Sequence, residues 1–320
     1  MTTESQTRSR DTKWFADIGW GVFTHYLTDV KTTADEWCRQ VDAFDVEALA
    51  AQLEEVGAGY YFITVGQNSG HWCAPNAAYD AILERSPSLC SRRDLILDLA
   101  AALEKRNIRL MAYHTCDPAM QDPEALRRFH YTWGFKGEWP HAWGTERTGF
   151  RQAEFQRLWE AVTREWSLRW GRHVQGWWMD GCYFADEMYR HPEAPNFESF
   201  CEAIRAGNPE ALVAFNPGVF APVLCHTLLE DFTAGEIAEA FPVCPGPFVN
   251  QARYHILSYL GESWSKGAPR FPDEFVIGYT KHVTSKGGVV TWDVPISPAG
   301  VIPEPFVNQL RLIRQKGRSK

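Results

Sequence analysis

The chain has 320 residues, of which 45% are hydrophobic and 22% charged, enough apolar material for a substantial core in one large domain or two ordinary ones. Its formal charge of −8 and the lack of any Lys/Arg block exclude an extended phosphate-binding surface, so no nucleic-acid partner is expected. No run of 18 or more apolar residues occurs, so no membrane-spanning helix is expected; the opening MTTESQTRSRDTKWF lacks a secretory signal pattern and implies a cytoplasmic location.

Residues 1–13 read as a flexible N-terminal segment. GWGVFT at 19–24 is a short apolar strand ending at His25. In DVEALAAQLEEVG at 45–57, Val46, Leu49, Ala50, Leu53 and Val56 recur at helical spacing. Gly57 and Gly59 stop that helix before YYFITV at 60–65, the second strand. DLILDLAAALEKRN at 94–107 is an amphipathic helix with an acidic start and a basic end, as its dipole favours. IRLMAYH at 108–114 follows as the third strand. A long irregular connection over 115–150 is expected to lie across one end of the fold. A helix at about 151–170 then leads into VQGWWMD at 174–180, the fourth strand, and NFESFCEAIRAGNP leads into ALVAFNP, the fifth. Weaker signals place a sixth strand at 232–236 and a seventh at 255–260. A helix at 273–287, the strand GVVTWD at 288–293 and a closing helix, PEPFVNQLRLIRQKG, complete the series.

Near-continuous apolar strands alternating with amphipathic helices specify a parallel sheet covered by helices. Eight strands, no linker and no GxGxxG or GxxxxGK segment favour a single (β/α)8 TIM barrel over 14–320 rather than a doubly wound nucleotide-binding sheet. The eight cysteines are widely spaced without any CxxC unit, and read as buried reduced thiols rather than zinc or redox sites.

Active-site groups of such a barrel come from the C-terminal ends of its strands. His25, Gln67, Asn68, His71, Tyr113, His114, Asp180, Asn216, Glu236 and Asp293 with its neighbour Trp292 all fall at or just after those ends. Asp180 has the best local address, between the bulky strand WWM and a glycine that permits a sharp turn. A carboxylate there can attack an anomeric carbon if a second carboxyl serves as acid. Glu236 is the first choice for that acid, Glu262 its competitor, and Asp293 a group that binds a sugar hydroxyl or tunes Asp180. Trp72, Trp133, Trp139, Trp143, Trp264 and Trp292, among 14 tryptophans, occupy expected loops or strand ends where they either stack on a sugar or pack structurally. His25, His71, His114 and Asp180 would form a metal site only if they converged, and they match no compact ligand motif, so no metal or other cofactor is expected.

The segments WFADIGWGVFTHY, AQLEEVGAGYYFITVGQNSGHW, RRDLILDLAAALEKRNIRLMAYH, QGWWMDG and VTSKGGVVTWDVPISPAGVIP resemble, in order, conserved segments of the α-L-fucosidase family of glycoside hydrolases. The resemblance spans most of residues 14–303. It implies cleavage with retention of anomeric configuration, Asp180 as the nucleophile and His25 as a sugar contact, with Glu236 carried over provisionally as acid/base and Glu262 kept in play. The chain departs from the family where Gln67-Asn68-Ser69-Gly70 replaces a His-His-Asp-Gly pattern, with His71 as partial substitute, and where TWD with Asp293 replaces an Asn-containing strand end. The family's C-terminal β-sandwich is not expected within the chain. The expectation is an exo-acting glycosidase with a carbohydrate substrate, possible as a homo-oligomer. A glycosidase of other specificity or inverting mechanism, a non-catalytic carbohydrate-binding barrel and a metal-assisted hydrolase are the alternatives.

Overall fold

The computed structural model describes residues 10–142 and 145–317; Trp143 and the first nine residues of the expected flexible segment lie outside them. The strands are β1 (Trp20–Thr24), β2 (Tyr60–Thr64), β3 (Arg109–Thr115), β4 (Val174–Asp180), β5 (Leu212–Phe215), β6 (Phe248–Val249), β7 (Ala252–Arg253), β8 (His255–Tyr259) and β9 (Val289–Asp293). Seven of them pair in parallel in the order β5-β4-β3-β2-β1-β9-β8, while β6 and β7 form a separate two-residue ribbon.

The strand expected at 232–236 is present as an extended segment, 231–237, that closes the ring between β8 and β5. Asp231 N donates to the Val213 carbonyl, Thr233 N to the Arg253 carbonyl, Leu257 N to the Gly235 carbonyl and Ile237 N to the Leu257 carbonyl, each at 2.9 Å. Arg253 N adds a bond to the Asp231 carbonyl (2.8 Å), and side chains supply others. Val213 N donates to the Asp231 carboxylate (2.9 Å), and His255 N donates to the Thr233 hydroxyl (2.8 Å). The result is the expected (β/α)8 barrel, and among the described residues no helix is long and apolar enough to cross a membrane.

Helices Val46–Val56 and Leu95–Glu104 form where the periodicity places them, each started by an aspartate that caps it, Asp45 and Asp94. Gly57 ends the first in a left-handed conformation that costs glycine least. Short helices at Lys13–Ile18, Ala34–Asp42, Ala77–Leu83 and Pro123–Arg128 were not foreseen; most are too brief for a periodic signal. The first begins at the last residue of the expected flexible segment and seats Phe15 in the bottom of the barrel, against Tyr60 and Phe232.

Side chains alternate across the barrel wall. Phe23, Tyr60, Phe62, Met111, Tyr113, Trp178, Leu212, Ala214, Phe232, Ala234, Leu257 and Val289 fill the interior. Their neighbours, among them Val22, Tyr61, Ala112, Trp177, Val213 and Trp292, pack outward against the helices. This parity decides which strand-end residues reach the barrel mouth.

Candidate active site

Continuing the inward parity by one or two steps brings His25, Asp180, Asn216, Glu236 and Asp293 to the C-terminal mouth, above the ring of Phe23, Tyr113, Trp178 and Leu257. A cavity of about 610 Å³ opens there. Its walls include His25, Gln67, Asn68, Tyr113, Asp180 and Glu236.

Asp180 is the hub. One carboxylate oxygen accepts from the Tyr113 hydroxyl and from Gln67 Nε2 (3.4 Å). The other accepts from Asn216 Nδ2 (2.8 Å) and the Tyr183 hydroxyl (3.1 Å). Tyr113 is itself held between the rings of Phe23 and Trp178, stacked at 5.4 and 5.3 Å, so its hydroxyl is aimed by packing. Four side-chain donors thus converge on this one carboxyl group.

The second carboxyl is tied to the first. Asn216 Nδ2 also donates to Glu236 Oε2 at 2.5 Å, so the two carboxylate oxygens stand no further apart than the sum of two hydrogen bonds. Loss of hydration, and then the neighbouring Asp180 charge, push the Glu236 carboxyl up to about 8, with the Asn216 hydrogen bond opposing them. The pair is therefore asymmetric: one carboxyl surrounded by donors, the other favouring its proton.

On the opposite wall, His25 Nδ1 lies 2.9 Å from Asp293 Oδ1. Asp293 is fully buried and also accepts from Ser265 N (2.6 Å) and Ser265 Oγ (2.9 Å). Its carboxylate is occupied by protein donors from His25 and from the turn carrying Trp264. Trp264 lines the cavity with its ring 5.7 Å from that of His25.

Other expected contacts stand elsewhere, for reasons of parity and packing. His114 and Trp292 occupy outward positions. His114 lies buried among Trp72, Trp159 and Trp166, and burial lowers its pKa to about 3. Trp292 donates to the Thr280 hydroxyl of the helix Asp273–Thr284, and Trp72 is buried against Tyr79 and Trp166. His71 is buried, with Nε2 2.8 Å from the Thr32 carbonyl. Trp133 packs on Phe184 and Trp139. Glu262 is exposed on the β8–helix connection, folded along Gly267 and outside the cavity wall. Among the described residues no three His, Cys, Asp or Glu side chains form a metal-ligand set, because His71 and His114 are drawn away from His25 and Asp180.

Three residues were not anticipated. Tyr183 reaches Asp180 from the turn directly after β4, a signal available in its three-residue spacing. Asp117 is buried against Gly181, its carboxyl 2.9 Å from where a β-carbon at 181 would stand. Burial and then the Asp180 charge raise that carboxyl well above its ordinary range. Ser265 gave no signal, because its role depends on a turn brought across the barrel mouth.

No protein-family model and no curated protein matches the chain. Solved structures do. An endo-fucoidan hydrolase of glycoside hydrolase family 107, P5AFcnA, superposes with a TM-score of 0.69 at 16% identity, covering 96% of this chain and 93% of that one. What the two share is the (β/α)8 barrel fold. A second family 107 endo-fucoidan hydrolase, MfFcnA4, gives 0.68 at 16% identity over 95% of this chain and 53% of its own. An α-L-fucosidase of family GH29 from Bacteroides thetaiotaomicron gives 0.64 at 15% identity over 98% and 75%.

Proposed function

We propose that the protein is a retaining glycoside hydrolase acting on an α-L-fucoside or a closely related sugar, with Asp180 as nucleophile and Glu236 as acid/base. The observation that carries this reading is the single Asn216 nitrogen hydrogen-bonded to both carboxyls. Retaining enzymes hold their carboxyl groups roughly 5–5.5 Å apart, whereas inverting ones need about 6.5–9.5 Å to admit a water. Two hydrogen bonds meeting at one atom support the shorter class. The fold neighbours, named as fucoidan hydrolases and a fucosidase, support the choice of sugar.

In the first step an Asp180 oxygen attacks the anomeric carbon while protonated Glu236 gives its proton to the departing glycosidic oxygen. In the second, the Glu236 carboxylate takes a proton from water, which attacks the same carbon and releases Asp180. Tyr113, Gln67 and Tyr183 orient the nucleophile. His25, Gln67 and Asn68 are the proposed sugar-hydroxyl contacts. Exo action is the proposed mode; the endo-acting neighbours make mid-chain cleavage the contrasting outcome, and sizing the products of an end-labelled oligosaccharide separates the two.

The test is covalent trapping. A 2-fluoro fucosyl fluoride should add one fluorosugar mass to the peptide bearing Asp180, and D180N should take none. Early NMR spectra showing the inverted anomer as first product would sink the assignment.

A further inference from the structure

The Asn216 side chain does more than join the two carboxyls. While Nδ2 donates to Asp180 and Glu236, its Oδ1 accepts from the backbone N of Gly218 at 3.0 Å. The loop after β5 is thus launched from the catalytic pair itself. Its next two residues are Val219 and Phe220, 54% and 48% exposed, two adjacent large apolar side chains given to solvent. Isolated exposed apolar residues need no explanation, but a contiguous pair beside reacting groups does.

The loop's seat locates the pair. Gly218 has a φ of 105°, which glycine tolerates best, and its open side faces two rings: a β-carbon there would stand 3.5 Å from Tyr183 and 3.6 Å from Phe220. Tyr183 in turn donates to Asp180. Phe220 and Tyr183, the ring that donates to the nucleophile, therefore flank the same glycine, yet neither Phe220 nor Val219 lines the cavity. His25, Gln67, Asn68 and Trp264 line the cavity from other strand ends, while Glu236 belongs to the segment that follows this loop.

We propose that Val219 and Phe220 form a leaving-group platform, taking the apolar C–H face of the sugar unit attached to the one being cleaved. This rests on the glycosidase reading above. The acid must stand beside the glycosidic oxygen, so what lies beyond that oxygen passes over the elements flanking Glu236. A pyranose ring offers one face of C–H groups, and an exposed phenyl ring is suited to receive it. Remote binding of this kind is useful only when the leaving group is large enough to touch it.

The experiment compares two substrates on wild type and on the Val219→Ser/Phe220→Ala double variant. α-L-Fucosyl fluoride carries a leaving group too small to reach the platform; an α-L-fucosyl disaccharide reaches it. The double variant should hydrolyse the fluoride at the wild-type rate, which also shows that it is folded with its carboxyl pair intact. It should lose about tenfold in kcat/KM on the disaccharide. Equal rates on the disaccharide, or equal losses on both substrates, would overturn the platform. A wild-type enzyme inert toward both substrates overturns the fucosidase reading itself, and the platform with it.

Discussion

Asp180 and Glu236 accept hydrogen bonds from one and the same nitrogen, the Asn216 side-chain amide, at 2.8 and 2.5 Å. One neutral donor therefore sets the spacing of two carboxyls and is the stabilising partner that opposes the upward push on Glu236. Replacing it with Ala removes that donor from both groups while leaving Tyr113, Gln67 and Tyr183 on Asp180. N216A is expected to lower kcat/KM on a fucosyl disaccharide by about 10–100-fold, in line with loss of a hydrogen bond to a charged group. Its alkaline limb should move to higher pH, because Glu236 loses the bond that favours ionisation. A pH–rate profile of the variant checks both; an unmoved or lowered limb would contradict the shared-donor account.

Glu236 links activity to stability in opposite directions. Its carboxyl is held at about 8 in the fold, above the ordinary value of 4.5. A raised folded value contributes stability that is fully present below pH 4.5 and is lost as pH rises through 8. Wild-type activity should fall on the same side, since the acid is deprotonated above about 8. Gln cannot ionise, so E236Q should melt at a higher temperature than wild type at pH 9 and at a similar one near pH 4. The same variant should lose about 10²–10⁴-fold in kcat on a poorly departing alcohol. Thermal melts at the two pH values, run beside the rate assay, read both effects; a variant less stable than wild type at pH 9 would refute the burial argument.

Asp293 offers a different kind of test, because its carboxylate is spent on the protein. It accepts from His25 Nδ1 and Ser265 Oγ through one oxygen and from Ser265 N through the other. Asn keeps an acceptor on one side only and turns an N–H toward another donor on the other. D293N should therefore cost about 1–3 kcal/mol of stability through that unsatisfied buried contact. It should also raise KM more than it lowers kcat, since His25 is proposed to contact the sugar and not the reacting bond. Melting temperature and the KM-against-kcat split are the measurements, and a stable variant with unchanged KM would count against this positioning role.

How much of this was legible in the sequence follows from which signals are local. Helical periodicity in 45–57 and 94–107, and apolar runs at 60–65, 108–114 and 174–180, are local, and the barrel forms where they lie. The segment at 231–237 gave a weak signal because Thr233 and Asp231 side chains take over bonds that a regular strand makes with its backbone. Asp180, Asn216 and Glu236 converge because each continues the inward alternation of its own strand. The same alternation would have separated Tyr113 from His114, which are adjacent but face opposite sides of the wall. Contacts such as Ser265 with Asp293 join turns from different parts of the chain, and no local pattern encodes them.

His114 puts that alternation to an experimental test. It is fully buried between the barrel and the helix Ala153–Trp170, with Nε2 3.3 Å from the Thr163 hydroxyl and Nδ1 without a hydrogen-bond partner. Burial lowers its pKa to about 3, against 6.5 for an ordinary histidine. The unfolded chain thus takes up a proton that the fold refuses, so stability is lost as pH falls from 6.5 toward 3. Leu fills a similar volume and neither titrates nor carries an orphaned nitrogen. H114L should match or exceed wild-type melting temperature at pH 7.5 and exceed it by more at pH 5. Some acid sensitivity should persist, because burial also lowers His226 and His255 to about 4. KM for a fucosyl substrate should not change. A raised KM with normal stability would place His114 in contact with the sugar, and the inward–outward assignment of β3 would have to be revised.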